Sequence, residues 1–177
     1  QRYGVDPLLT LCVLVTALYG LIILYSASGQ SLSMVIRQGA HVVVGLGVMA
    51  ILSQVRRDII VHATPFIFAF AILLLIAVLV IGVGAKGAQR WLDLPGLPRF
   101  QPSELMKLAL PAMVTWWLTR RRLPPTISQL AIAALLIVIP VALIAKQPDL
   151  GTSIIIAGSG FFVIFLAGIS WRLLAIL

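Results

Sequence analysis

Two stretches of this sequence hold the residues best suited to chemistry: AKGAQRWLDLPGLPRFQPSELMK at 85–107 and KQPDLGTS at 146–153. Glu104 and Lys107 are three residues apart, so a helix would put them on one face within reach of each other. Glu104 would lie in the first turn, where the helix dipole favours an anion. Lys107 would lie one turn deeper, its side chain directed back toward Glu104. Such a pair can fix a helix as a structural ion pair, which is the weightier reading, or act directly in catalysis. Asp149 can serve as a general base, hold a divalent cation or orient Lys107. It can also simply cap a helix, as Asp149 and Thr152 are both good N-cap types, and capping is the simpler reading. Lys86, Arg90 and Arg99 concentrate positive charge suited to an anionic lipid headgroup or a pyrophosphate. Snorkelling of Arg90 and Arg99 to lipid phosphates, with no specific ligand, explains them equally well. Trp91, beside Arg90 and near Asp93, fits an aromatic belt at a membrane boundary, with stacking on a sugar ring or support of a loop as the sharper alternative.

These residues interrupt an apolar chain. Of 177 residues, 61% are hydrophobic and 10% charged, and the mean hydropathy is +1.12. A soluble domain carries about 25% charged residues. Apolar runs long enough to cross a bilayer recur, so the fold class is all-α, a polytopic helical membrane protein read as one transmembrane domain over 1–177. The pattern predicts six spans, at about 8–27, 38–55, 65–84, 103–119, 127–145 and 153–170, with 173–177 opening a seventh. Thr64 and Pro65 suit the cap and first position of the third span, and Ser103 begins the fourth. Residues 29–36 are expected to form a short interfacial segment. Pro111 and Pro140 fall inside the fourth and fifth spans, where they would kink the helix. The first run is too long for a cleavable signal segment. The chain lacks an initial Met and stops inside an apolar run, so it is expected to be part of a longer protein.

Arginine and lysine counts set the orientation. One set of span ends carries Arg2, Arg56, Arg57, Arg120, Arg121, Arg122 and Arg172, and the other carries Arg37, Lys86, Arg90, Arg99 and Lys146. The richer set is expected to be cytoplasmic, with the N-terminus inside. Three of the five outer charges then sit in the 85–102 loop, against the usual bias. The 146–153 turn falls on the same outer side. The RRRLPP stretch at 120–125 reads as a cytoplasmic turn and topology anchor. Cys12 is the single cysteine, so no intrachain disulfide forms. His41 and His62 fall on opposite faces and cannot share a metal. No phosphate loop, zinc motif or Ser/His/Asp arrangement is present, and no metal ligands are assigned.

KGAQRWLDL, RFQPSELMKL and KQPDLGTS, in this order and interleaved with these spans, resemble the SEDS family (shape, elongation, division and sporulation), especially its elongation branch. The resemblance covers essentially the whole chain. It implies the N-terminal part of a ten-span glycosyltransferase of the bacterial inner membrane. Such enzymes polymerise lipid II into peptidoglycan on the outer face during cell elongation, alongside a class B penicillin-binding protein, the transpeptidase. Trp91, Glu104, Lys107 and Asp149 match positions the family treats as functionally important, Glu104 and Lys107 matching a buried ion pair. Arg90 and Gln101 lie in the same motifs and join Arg99 and Lys86 as substrate-binding candidates. The family's leading catalytic aspartate lies in a large outer loop after the seventh span, beyond Leu177. In the implied reaction a sugar hydroxyl attacks an anomeric carbon and undecaprenyl pyrophosphate leaves. A carboxylate can help remove the hydroxyl proton, while cationic side chains or a divalent cation, Mg or Mn, stabilise the leaving group. Arg90, Arg99 and Lys107 suit the second role, and Glu104 and Asp149 suit orientation, metal support or secondary acid–base work. The alternatives are a lipid II flippase, which kinked spans and an intramembrane ion pair would also suit, and a non-catalytic scaffold for the transpeptidase. Membrane lipids are expected partners and nucleic acid is not.

Overall fold

The computed structural model describes residues 6–85, 88–93, 99–121 and 124–168. The elements are α1 (Pro7–Ala27), α2 (Leu32–Gln54), α3 (Arg57–Ile81), β1 (Val83–Ala85), β2 (Ala88–Trp91), α4 (Pro102–Thr119), α5 (Ile127–Ala145) and α6 (Leu150–Leu166). Helices α1, α2, α3 and α5 are long and apolar enough to cross a membrane, and α6 is a shorter apolar helix. The all-α reading holds, with one addition, a small antiparallel hairpin between α3 and α4. Arg2, Lys86, Arg122, Arg172 and the predicted seventh span at 173–177 lie outside the described residues.

The chain divides into two compact units, Gln1–Ile60 and Val61–Leu177. In the first, Asp6 caps α1, its Oδ1 accepting from the Leu8 and Leu9 amides at 2.8 and 3.1 Å, with Pro7 at the first helical position. Among the described residues neither α1 nor α2 buries a residue, and both are apolar along their length. The expected interfacial segment at 29–36 is instead a turn followed directly by helix. Gly29 and Gln30 both adopt φ 64, reversing the chain in two residues, and α2 begins at Leu32. The third span also begins earlier than predicted. Asp58 stands in the first turn of α3, so Thr64 is a buried helical residue and Pro65 sits inside the helix. A proline there forfeits one backbone bond, which a membrane helix tolerates when neighbouring groups satisfy the freed carbonyl.

The second unit packs α4, α5 and α6 together with one stripe of α3. The buried residues of α3 are Thr64, Phe68, Ala71, Leu75 and Val78, spaced alternately four and three apart, as one face of a helix requires. On α4 the buried stripe is Pro102, Ser103, Met106, Ala109, Leu110, Val114 and Leu118. Leu75, Met106, Leu110, Val114, Ile144 and Ile156 are fully enclosed at the centre. Gly160 lets α6 close on both neighbours. A Cβ there would lie 2.6 Å from Ile137 Cγ1 on α5 and 3.2 Å from Leu110 Cδ2 on α4, so only glycine allows this approach. Pro111 and Pro140 lie within α4 and α5 as predicted.

Beyond α3 the chain turns at Gly82, where a Cβ would meet the Val78 carbonyl oxygen at 2.2 Å. It then forms the hairpin, Val83 opposite Trp91 and Ala85 opposite Ala88. A further bridge joins Leu92 to Phe100, with Leu92 buried beneath it. An isolated hairpin is marginal in water. This one is closed by two backbone bonds, Leu92 N to Phe100 O at 2.8 Å and Phe100 N to Leu92 O at 3.1 Å, which deliver the chain to Pro102 and the start of α4.

Candidate functional site

The α3–α4 connection and the α5–α6 turn meet. Asp149 stands at their junction, nearly buried, at the N-cap of α6. Its Oδ1 accepts from the Thr152 amide at 3.3 Å, and its main-chain carbonyl accepts from Ser153 Oγ at 2.8 Å. The capping reading is therefore correct, but it uses only one carboxylate oxygen. Oδ2 faces the other connection, 3.4 Å from Gln101 Nε2 and 3.9 Å from Arg90 Nε. Arg90 Nη2 donates to the Pro148 carbonyl, and Gln101 Nε2 also reaches Ser103 Oγ at 2.9 Å. Arg90 Nε is itself buried and makes no hydrogen bond among the described residues. At 3.9 Å the Asp149 oxygen is within ion-pair range but beyond a hydrogen bond. Three side chains far apart in sequence are thus gathered by two loops at one end of the helices.

Gln147 anchors the turn from below. It is buried, and its Nε2 donates to the Leu75 carbonyl of α3 at 3.1 Å. Nothing in the sequence pattern marked this residue. A glutamine between lysine and proline reads as solvated turn, and only burial reveals its partner.

Glu104 and Lys107 form the pair that their spacing predicts, Nζ to Oε1 2.7 Å. Among the described residues its side chains remain 55% and 33% accessible. The cause is the register of α4. Residues 102, 103, 106, 109 and 110 turn inward, which leaves Glu104 and Leu108 on the uncovered side.

The remaining candidates separate. Arg99 is drawn to Asp93, Nε to Oδ2 3.1 Å, across the Leu92–Phe100 bridge and away from Asp149. Trp91 ends β2 with its ring partly exposed, adjacent to Arg90 but, among the described residues, in no hydrogen bond with the network. Lys86 lies outside the described residues.

This end of the unit thus holds Arg90, Arg99, Lys107 and Lys146 against Asp93, Glu104 and Asp149. Each carboxylate already has a cationic partner, at 3.1, 2.7 and 3.9 Å respectively. Among the described residues no group of three or more His, Cys, Asp or Glu side chains gathers. The three carboxylates at this end, each paired with a cation, do not by themselves make a divalent-cation site, and no step is assigned to one. What the arrangement can do is receive an anion. Arg90 and Lys107 are fixed by partners, while an exposed pair such as Arg99–Asp93 is weak, about 0–1 kcal/mol, and easily reopened.

Residues 6–177 match the family described as cell cycle proteins, that of FtsW, RodA and SpoVE. Over 176 residues the chain is 43% identical to the peptidoglycan glycosyltransferase MrdB of Escherichia coli, covering 99% of this chain and 47% of that protein. It superposes with a TM-score of 0.86 and 31% identity on the crystal structure of the Thermus thermophilus rod shape determining protein RodA, covering 97% of this chain and 56% of that one. A structure of a peptidoglycan synthase complex, described as showing coordination of polymerization and crosslinking, contains a chain that matches with a TM-score of 0.87 and 31% identity, over 97% of this chain and 50% of that one. The chain spans about half the length of the curated relatives it matches.

Proposed function

The chain belongs to the FtsW/RodA/SpoVE family of cell cycle proteins, and we propose that it forms the substrate-orienting half of a RodA-type peptidoglycan glycosyltransferase acting on lipid II. The observation that carries this reading is the convergence of Arg90, Gln101 and Asp149 from two separate connections, at the end of α4 that also bears Glu104 and Lys107.

The reaction transfers a glycosyl group. An acceptor sugar hydroxyl forms a new C–O bond at the donor's anomeric carbon, and the bond to the lipid pyrophosphate breaks, its electron pair leaving with the phosphate oxygen. Charge then grows on the pyrophosphate, and fixed cations stabilise that growth without reorganising. Lys107, held by Glu104, and Arg90, held by Asp149 and the Pro148 carbonyl, supply two such cations, and Arg99 a third once released from Asp93. Asp149 and Gln101 orient Arg90, and Trp91 offers a ring face to a sugar. The hydroxyl proton goes to the carboxylate that the family resemblance places beyond Leu177, while Glu104 and Asp149 hold their cations.

The polar side chains gather at one end of the helices, where a polymerase needs them, rather than at mid-span as transport would require. The basic connections then face the outer leaflet of the inner membrane, with the N-terminus cytoplasmic. The partner is a class B penicillin-binding protein, in keeping with the peptidoglycan synthase complex that contains a similar chain. The test is lipid II polymerisation by the full-length protein with the partner's transpeptidase blocked. Asp149→Ala, Glu104→Ala and Trp91→Ala are each expected to lower product formation. Polymer made at the wild-type rate by all three would overturn the assignment.

A further inference from the structure

The opposite end of α4 carries a second ordered arrangement of cations. The helix closes in TWWLTRR, residues 115–121, where Trp116 and Arg120, and Trp117 and Arg121, are each four apart. That spacing places each arginine one turn above a tryptophan. The Arg120 guanidinium carbon lies 4.2 Å from the Trp116 ring centroid, and that of Arg121 lies 4.1 Å from the Trp117 ring. Both are well inside the roughly 6 Å reach of a cation–π contact. One of the two rings is itself held by a hydrogen bond, while the buried Nε1 of Trp116 has none among the described residues. Trp117 Nε1 donates to the Gln129 carbonyl of α5 at 3.2 Å, and its ring packs against the core. Trp116 is half-buried.

Neither arginine is neutralised. Among the described residues Arg120 and Arg121 enter no ion pair, and both side chains are exposed. The chain has five carboxylates in all. Asp6 caps α1, Asp58 pairs with Arg56, and Asp93, Glu104 and Asp149 stand at the other end of this unit. A guanidinium lying on a ring keeps its edge N–H groups available for another partner, and both side chains are exposed. That is the planar fork that takes a phosphate bidentately. Charge that served orientation alone would need no such stacking, and lysine would do as well.

We propose that Trp116–Arg120 and Trp117–Arg121 form a docking site for the phosphodiester of an anionic phospholipid, in the leaflet opposite the Arg90–Asp149 network. The shared chemistry is a phosphate anion. The lipid is favoured as its source because the site crowns a helix whose flanks are apolar, with Leu118 buried beneath it and the exposed apolar residues of α5 alongside. The proposal is independent of the polymerase reading, since binding rather than turnover is measured.

The full-length protein, purified in a neutral detergent, is titrated with phosphatidylglycerol, phosphatidylcholine or inorganic phosphate. Bound lipid is counted by native mass spectrometry, and the unfolding temperature is followed in parallel. Phosphatidylglycerol is expected to bind and raise that temperature, while the other two do neither. Arg120→Lys/Arg121→Lys keeps the charge but loses the fork, and is expected to weaken phosphatidylglycerol binding about tenfold. Arg120→Gln and Arg121→Gln, tested singly in case the double variant folds poorly, are each expected to weaken it with the lipid-free unfolding temperature unchanged. Wild-type affinity in the double lysine variant would reduce the site to diffuse charge and overturn the proposal. Equal stabilisation by inorganic phosphate would overturn the lipid as its source, and equal binding of phosphatidylcholine would overturn selectivity for an anion.

Discussion

Replacing Gln147 separates a structural tether from the chemistry above it. Gln147 is 3% exposed, and its amide reaches the Leu75 carbonyl at 3.1 Å. Leu75 lies well inside α3, so its carbonyl keeps a helical partner when the glutamine is lost. Gln147→Met preserves volume and removes one hydrogen bond, which costs about 1 kcal/mol. Gln147→Ala also removes buried methylene packing and leaves a void, for a total of about 2–3 kcal/mol. Gln147→Glu places a carboxylate against a carbonyl oxygen in a dry site and should be the worst of the three, by several kcal/mol. Equilibrium unfolding of the full-length protein in mixed micelles should give the order Met, Ala, Glu. Asp149 is two residues away on the same turn. Loosening the tether should therefore slow lipid II polymerisation by Gln147→Met about tenfold even where folding is nearly intact, a loss of about 1.4 kcal/mol in the transition state. A glutamate variant as stable as wild type would refute the burial of this side chain against α3. A methionine variant of normal activity would refute the link from the tether to the site.

Gly160→Ala should destabilise by about 1–3 kcal/mol through overpacking against Ile137, and Gly160→Leu should abolish folded yield, both read by size-exclusion profile and unfolding. Lys107→Ala should change stability by less than about 1 kcal/mol, because the pair is part-exposed, while lowering polymerisation; a large stability loss with normal activity would make the pair purely structural. Asp149→Asn should keep the cap on α6, since an amide oxygen can still accept from Thr152, and should lose activity with little loss of stability; Asp149→Ala should lose both. Arg99→Gln should leave stability within about 1 kcal/mol of wild type, because it breaks an exposed pair only.

The fifth helix was legible to the residue, because apolar sequence runs unbroken from Leu130 to Ala145; the Thr126–Gln129 capping box at its start was not read from the sequence. The start of the third was placed eight residues too late. Pro65 is the local signal for a helix start, but in an apolar surround the helix passes through it and begins beside Asp58. The hairpin was hidden because VGAKGAQRW has no alternating apolar pattern, and its pairing depends on Leu92 finding a buried site. Glu104 and Lys107 were legible as a pair from spacing alone. Which side of α4 they take was not, since it depends on the face that turns toward α5 and α6. That the 85–102 and 146–153 connections share one end followed from counting spans, and Arg90 reaching Pro148 and Gln101 reaching Asp149 bear that out. That Arg99 would turn to Asp93, and Gln147 to Leu75, required the tertiary contacts themselves.

The central claim is that Arg90 and Asp149 act as one unit in orienting a lipid-linked pyrophosphate. Its most direct test is a double-mutant cycle in lipid II polymerisation, comparing Arg90→Ala, Asp149→Ala and the double variant in the full-length protein. With both side chains partly shielded, their coupling should be about 1 kcal/mol, or about fivefold in rate, and the double variant should be no slower than the slower single one. Rates that multiply across the two substitutions, or a single variant that polymerises as wild type does, would contradict the claim.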